Sequence, residues 1–340
     1  MPVRARGAAF AGCVLALAAG IALLVEPGDT GDLPFFVHTA EKLFSADWAN
    51  VYANADVQLG PLQLLLFRLG DVAGILPLLV QVGVAALLWV VAGRLLTGRD
   101  PRAQLVVGLA AVALGLTYGA YQDGHPAQVI VPLVWVLAGL EAREGRTLQA
   151  GALVGLSAGF ELWGLVGAVV FVLAPRARAA LAGFATEAVV AACLFLPFVI
   201  AGEFRMFEYR WRVNGDTLLS LVVDPGTRFT WPMRVLQGAL ALGVGAGLAW
   251  SLRRTLHAVW LAPLGTVAVR LALDPVRYPW YWLAIETLAL LGAAEFLTSA
   301  TVGRVRPRVQ GQPPARTSLT KKELLGEAVR AFPRGHHLKS

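Results

Sequence analysis

Long apolar stretches recur along almost the whole of this 340-residue chain. A helix needs about 20 mostly apolar residues to cross roughly 30 Å of hydrocarbon. Ten stretches are predicted as membrane spans: 7–25, 72–93, 103–120, 127–141, 148–161, 162–175, 180–200, 232–252, 257–273 and 280–298. The fifth and sixth are too short to cross separately as straight helices. They are expected to form a hairpin of broken helices, which needs protein around its free backbone groups, although two full spans stay open as the alternative.

The composition supports a membrane protein and excludes several other classes. Hydrophobic residues make up 57% of the chain and charged residues only 15%, whereas about a quarter of the residues in a soluble domain are charged. The alternation typical of an outer-membrane barrel is absent. Cys13 and Cys193 lie in apolar runs and are interpreted as small core residues, so no disulfide framework is expected. The predicted fold class is an all-α polytopic transmembrane helix bundle of about ten spans.

The positions of the arginines predict the orientation of the bundle. Arginine-rich loops between spans face the cytoplasm. With ten crossings, all the arginine clusters fall on the same side, and both termini of this multi-pass plasma-membrane protein are cytoplasmic. If 148–175 crossed only once, the later clusters would face outward. The clusters are Arg4/Arg6, Arg94/Arg99/Arg102, Arg143/Arg146, Arg176/Arg178, Arg253/Arg254 and Arg304/Arg306/Arg308.

The net charge of +7 belongs entirely to the C-terminal end. Residues 301–340 contain nine Lys/Arg and two Asp/Glu, so residues 1–300 are neutral overall. We therefore predict a transmembrane domain over 1–300 and a basic, mostly disordered cytoplasmic tail over 301–340. A charge confined to a tail gives no reason to expect nucleic-acid binding.

Two external segments, 26–60 and 201–231, collect most of the remaining polar residues. In the first, apolar residues recur at helical spacing after Pro34, which predicts a short amphipathic helix on the outer surface. Asp32 precedes that helix at the boundary of water and lipid. It could act as a catalytic base on a lipid-carried head group, or belong to a solvated acidic loop. Deeper in the bundle, Arg270 and Glu286 could pair if their spans are neighbours.

Several stretches resemble bacterial GT-C membrane glycosyltransferases, in particular the actinobacterial mannosyl- and arabinosyltransferase-like proteins that use polyprenyl-phosphate sugars. The likeness is carried by Asp32–Phe36 with Trp48, Tyr52 and Gly60–Leu62, by Gly124–Gln128, by 142–164, and by Asp274-Pro275 followed by Arg277–Tyr281. The chain is shorter than typical members. It also has Glu161 where many members carry a lysine.

The resemblance implies a fold, a reaction and a set of site residues. The chain would transfer a sugar from a polyprenyl-phosphate carrier to a cell-envelope glycan or glycolipid at the outer face of the plasma membrane. The family's catalytic acid maps onto Asp32, with Asp29 as the neighbour that could be confused with it. Residues that hold the donor are sought among His125, Arg210, Arg212, Arg277 and Tyr278.

Other functions stay open on the sequence alone. The alternatives are a lipid or solute transporter and a non-catalytic membrane subunit or scaffold that uses the basic tail. Besides membrane lipids, the expected partners are the lipid-linked sugar and its acceptor. No cofactor is expected; a divalent metal is conceivable, but no ligand spacing supports one.

Overall fold

The computed structural model describes residues 3–26, 31–98, 101–208 and 211–305, and these contain helices and turns but no named β-strand. The predicted tail from 306 onward, with Asp29 and Arg210, lies outside the described residues. The chain divides into two units, Met1–Ser299 and Ala300–Ser340, and the contacts discussed below lie within the first. The α-helices are α1 (Val3–Leu24), α2 (Leu33–Glu41), α3 (Pro61–Val72), α4 (Leu76–Leu95), α5 (Pro101–Ala113), α6 (Leu116–Gln122), α7 (Ala127–Arg143), α8 (Thr147–Ala158), α9 (Ala177–Ala201), α10 (Trp231–Leu252), α11 (Ala258–Ala272) and α12 (Trp282–Val305). The 3-10 helices are Lys42–Phe44, Trp48–Tyr52, Leu162–Leu173, Leu218–Leu221 and Pro279–Tyr281.

The predicted all-α class is confirmed for the described residues, and every stretch predicted as a span is largely helical. Six of the described helical segments are long and apolar enough to cross a membrane: Arg6–Leu24, Leu76–Leu95, Pro101–Gln122, Ala177–Ala201, Trp231–Leu252 and Pro279–Ser299. The helices at the other four predicted spans are shorter, so a total of ten crossings stays a prediction.

The fifth and sixth stretches form the predicted broken hairpin. Helix α8 and the 3-10 helix Leu162–Leu173 have 12 residues each, so α8 rises only about 18 Å. The start of α3 covers the turn between them. The amides of Leu62 and Gly60 donate to the carbonyls of Gly159 (2.7 Å) and Phe160 (2.6 Å). The free backbone groups of the break are thus satisfied by protein, as a membrane-embedded turn requires.

Several of the arginine clusters meet at one end of the bundle, here called the basic end. Glu141 accepts hydrogen bonds from Arg94 (2.7 Å) and Arg146. Arg143 donates to the backbone carbonyl of Arg253 (3.0 Å). The C-terminal ends of α4, α7 and α10 therefore lie together at the basic end, as the charge pattern predicted. Which side of the membrane this end faces stays a prediction.

Helix α3 was not predicted. The second span was expected to start at residue 72, but α3 ends there and α4 begins at Leu76. Gly74 separates the two helices with a left-handed φ of +64°, a conformation that glycine adopts without strain. The apolar run continues through this turn, so hydrophobicity alone gave no sign of the break.

Two further expectations were wrong, and both concern which way a helix faces. Cys13 and Cys193 are exposed on the surface of their helices instead of lying in the core. Glu286 is also exposed, and the Arg270 guanidinium lies over the Trp163 ring, 4.5 Å from its centroid, instead of pairing with Glu286. In a membrane, an apolar stripe can face lipid as well as protein, so burial could not be read from apolarity.

Candidate functional site

Two loops meet backbone to backbone at the end of the bundle opposite the basic end. The Asp32 amide donates to the Asp123 carbonyl at 3.2 Å. Both loops carry a glycine with a left-handed φ, Gly31 (+91°) and Gly124 (+77°). A Cβ on Gly124 would lie 2.8 Å from the Leu33 backbone, and one on Gly31 would lie 2.8 Å from Asp123 Cα. Glycine at these two positions permits both the turn and the close approach.

The contact between the loops joins Asp32 to His125. Asp32 occupies the N-cap position of α2, but its side chain makes no capping hydrogen bond. Instead, Asp32 Oδ2 lies 3.1 Å from His125 Nε2. About half of the Asp32 side chain (49%) is exposed, against 10% for His125. A solvent-accessible carboxylate is therefore held by a buried imidazole.

Aromatic rings fix the plane of that imidazole. The Trp280 ring stacks on His125 with centroids 4.6 Å apart and planes 9° apart. The Tyr278 ring stacks in turn on Trp280, with ring centroids 4.5 Å apart. Phe36 of α2 meets the His125 ring edge to face, with centroids 5.3 Å apart. The late turn before α12 and the amphipathic helix therefore both orient His125. An aromatic face also attracts a cation, which suits a protonated imidazole.

A second carboxylate faces the other nitrogen of His125. Glu161 Oε1 lies 3.5 Å from His125 Nδ1. Glu161 is buried and follows the turn of the broken hairpin. Gln128 Nε2 donates to both of its oxygens, at 3.0 and 3.3 Å, and Trp163 Nε1 donates to Oε2. His125 thus lies between an exposed and a buried carboxylate.

This environment favours the protonated imidazole. Burial alone would lower the pKa of His125, but the hydrogen bond to Asp32 and the contact with Glu161 outweigh it, so the pKa lies above the ordinary value of 6.5. Protonated, His125 donates to Asp32 with the strength of a charge-assisted hydrogen bond. We therefore describe Asp32, His125 and Glu161 as one ionic cluster.

A cavity of about 270 Å³ adjoins the cluster, because Glu161 and Trp163 also line it. Its other walls come mainly from α10 and from the 3-10 helix Leu162–Leu173, and α11 contributes Arg270. Arg234 of α10 donates to Gln237 Oε1 (2.6 Å) and lies 3.7 Å from Asp274. The other polar and aromatic residues that line the cavity are Gln58, Trp211, Trp231, Gln237, Arg270, Asp274 and Tyr281.

The structure brings only some of the predicted site residues together. Asp32 contacts His125 directly, and Tyr278 reaches His125 through Trp280. Arg212 donates to the Gly226 carbonyl at 2.9 Å within its own loop, and the Arg277 guanidinium lies 5.7 Å from the Trp282 ring centroid. Within the described residues, no contact joins either arginine to the cluster. Asp29 and Arg210 lie outside the described residues.

Sequence reasoning missed the residues that support His125. Trp280 and Gln128 entered the sequence analysis only within stretches that resemble the family. Glu161 was noted there only as the residue that stands where many members carry a lysine. The available signal was the depth of Glu161 and Arg270 in apolar sequence, since charges there are rare and are commonly functional.

The described residues contain no group of three or more His, Cys, Asp or Glu side chains that could hold a metal ion. Compared with known proteins, the chain matches no family model, no curated protein and no solved structure. The candidate function is therefore argued from the chemistry of the cluster and its surroundings.

Proposed function

We propose that this protein is an integral membrane glycosyltransferase. It transfers a sugar from a polyprenyl-phosphate carrier to a cell-envelope glycan or glycolipid at the outer face of the plasma membrane. The observation that carries the proposal is the exposed Asp32 carboxylate, held by a buried histidine at the start of a surface amphipathic helix. A base for this reaction must stand where a lipid-borne sugar meets an acceptor from water.

In the proposed reaction, Asp32 takes the proton of the acceptor hydroxyl. The hydroxyl oxygen forms a bond to the anomeric carbon, and the bond from that carbon to the phosphate oxygen breaks. The lipid phosphate leaves with the electron pair. Asp32 performs general base catalysis, and His125 is a positioning residue that orients the carboxylate through its 3.1 Å contact.

The aromatic surface supports sugar binding beside this base. Tyr278 and Trp280 form a stacked pair next to His125, and Tyr281 meets Tyr278 edge to face at 5.5 Å. Aromatic rings offer a rigid apolar face with a polar edge, which suits the apolar faces and hydroxyls of a sugar ring. The Tyr278 hydroxyl is expected to stay protonated, because burial and the nearby Asp32 charge raise its pKa.

A transporter remains the second candidate, and the broken hairpin favours it. Secondary transporters bind substrate where helices are interrupted within the bundle, and Glu161 follows such an interruption. A transporter would move a lipid or solute across the bilayer without chemical change. The two functions therefore differ in their products.

The test is a transfer assay with purified protein in proteoliposomes, a radiolabelled polyprenyl-phosphate sugar and a glycan acceptor. Asp32→Asn should lower the transfer rate by about 100-fold or more, the usual contribution of a general base. Asp47→Asn is the matched control, because Asp47 lies exposed in the same loop and its carboxylate accepts a hydrogen bond from Asn50 instead of contacting the cluster. Normal transfer by Asp32→Asn would refute the assignment. Movement of unaltered lipid across the bilayer without transfer would favour the transporter.

A further inference from the structure

The cavity beside Glu161 is lined by Arg270, and two donors of its guanidinium have no acceptor among the described residues. The Arg270 guanidinium lies over the rings of Trp163 (4.5 Å to the centroid) and Tyr281 (5.2 Å). Its Nε and Nη1 atoms are shielded from solvent, and neither has a hydrogen-bond acceptor among the described residues. Shielded donors on a charged group are costly. An oxyanion in this cavity would satisfy both of them.

The neighbouring carboxylates are engaged elsewhere. Glu161 faces His125, Gln128 and Trp163. Asp274 lies nearest to Arg234. The charge of Arg270 is therefore not neutralised by direct contact with a described carboxylate. A guanidinium fork matches two oxygens of a phosphate group in geometry as well as in charge.

A second cleft, of about 400 Å³, offers space for a hydrocarbon chain. Tyr281 lines both the cavity and this cleft, so the two spaces adjoin at its ring. The walls of the cleft are mainly apolar side chains of α11 and α12, together with Leu218 and Val276, and the charged residues Asp216 and Arg277 also line it. The apolar residues facing it from the two helices are Ala268, Leu271, Ala272, Trp282 and Ile285.

We propose that the cavity binds the phosphate group of a lipid phosphate through Arg270, and that the hydrocarbon chain lies in the cleft between α11 and α12. The proposal rests on the proposed function only in identifying this phosphate with that of the sugar donor. Glu161 lines the cavity and contacts His125, so the bound phosphate would lie beside the Asp32 cluster. This assignment adds Arg270 to the donor ligands that the sequence suggested. Of those, Arg277 lines the cleft, and Arg212 lines neither the cavity nor the cleft.

Direct binding tests the proposal without requiring sugar transfer. Radiolabelled farnesyl phosphate is bound to the detergent-solubilised full chain, with unlabelled farnesol and inorganic phosphate as competitors. Arg270→Gln should weaken farnesyl phosphate binding by at least about tenfold, since hydrogen bonds to a charged group are lost. Arg228→Gln is the control, because Arg228 is an exposed arginine of the 211–230 loop that does not line the cavity.

A second variant avoids touching Arg270. Gly238 of α10 lines the cavity, and a Cβ there would meet no atom within 4 Å. Gly238→Leu should fill part of the cavity and weaken binding while the helix is preserved, because leucine is the better helix former. Gly243→Leu is the matched control, since Gly243 is exposed on the same helix with equally open space.

The outcomes distinguish a lipid phosphate from other ligands. They also distinguish failure of the phosphate site from failure of the proposed function. Unchanged binding in Arg270→Gln and Gly238→Leu would overturn the site. Competition by farnesol as strong as by unlabelled farnesyl phosphate would overturn phosphate recognition, and equally strong competition by inorganic phosphate would overturn the lipid source. If Asp32→Asn still transfers sugar while Arg270→Gln fails to bind, the base assignment fails and the phosphate site stands. If Arg270→Gln binds normally while Asp32→Asn is inactive, the reverse holds.

Discussion

Gly124 should be far less tolerant of alanine than Gly115, although both have the same φ of +77°. An alanine in the left-handed region costs about 1–2 kcal/mol. Part of this cost, about 0.4–1 kcal/mol, is offset by the reduced freedom of the unfolded chain. For Gly115→Ala nothing further is expected, because its Cβ would meet no atom within 4 Å. The predicted destabilisation of Gly115→Ala is therefore about 0–1.6 kcal/mol.

Gly124→Ala adds a steric cost. Its Cβ would lie 2.8 Å from Leu33 N and Cα and 3.2 Å from Phe36 Cδ2. Overpacking of this kind typically costs about 1–3 kcal/mol, so the total is about 1–5 kcal/mol, which exceeds that of Gly115→Ala by the steric cost. Because the clash pushes the two loops apart, the variant should also separate Asp32 from His125 and lower sugar transfer.

The assay compares the two variants by titration with denaturing detergent in mixed micelles, followed by the transfer assay on the folded protein. Gly124→Ala should unfold at a lower detergent fraction than Gly115→Ala and transfer more slowly. Equal loss of stability in both variants would refute the close contact between the loops, since their backbone conformations are the same.

Three other predictions follow from the geometry. Gly60→Ala should destabilise the broken hairpin by about 1–3 kcal/mol or more, because its Cβ would lie 2.2 Å from the Gly159 carbonyl oxygen; unchanged detergent unfolding would contradict this. His125 has a raised pKa, so its ionic stabilisation is complete below pH 6.5 and is lost as the pH rises through the folded-state pKa. The stability difference between wild type and His125→Gln should therefore stay constant below pH 6.5 and shrink as the pH rises above it; a pH-independent difference would show that folding does not raise the pKa of His125. Finally, with the native cysteines replaced by alanine, an impermeant maleimide added to intact cells should label Ser45→Cys and spare Thr255→Cys; the reverse pattern would invert the predicted orientation.

The features predicted well from the sequence are those that depend on neighbouring residues. Crossing or lining hydrocarbon requires contiguous apolar residues, so the helical stretches were found at nearly the right places. The amphipathic helix was predicted from local spacing after Pro34, and α2 buries Phe36 and Ala40 of that pattern, whereas Phe35 is exposed. The structure confirms that Asp32 stands at the start of this helix; its place on the outer membrane surface stays a prediction.

The features missed depend on contacts between distant residues. His125 lies 93 residues from Asp32 in the chain, so no pattern among neighbouring residues could predict their contact. Glu161 and Trp280 reach His125 from two other parts of the chain, through the turn of the hairpin and the turn before α12. The rotation of each helix about its own axis decided the remaining cases, including the exposure of Glu286 and the placement of Arg270 over Trp163.

The central claim is that Asp32 and His125 act as one unit in sugar transfer, and a double-mutant cycle tests it most directly. Transfer rates are measured for wild type, Asp32→Asn, His125→Gln and the double variant in the same proteoliposomes. If His125 acts through Asp32, the double variant should be no slower than Asp32→Asn alone, because groups acting as a unit are non-additive. The account would be contradicted if the rate losses of the two single variants multiplied in the double variant. A wild-type rate in Asp32→Asn would contradict it as well.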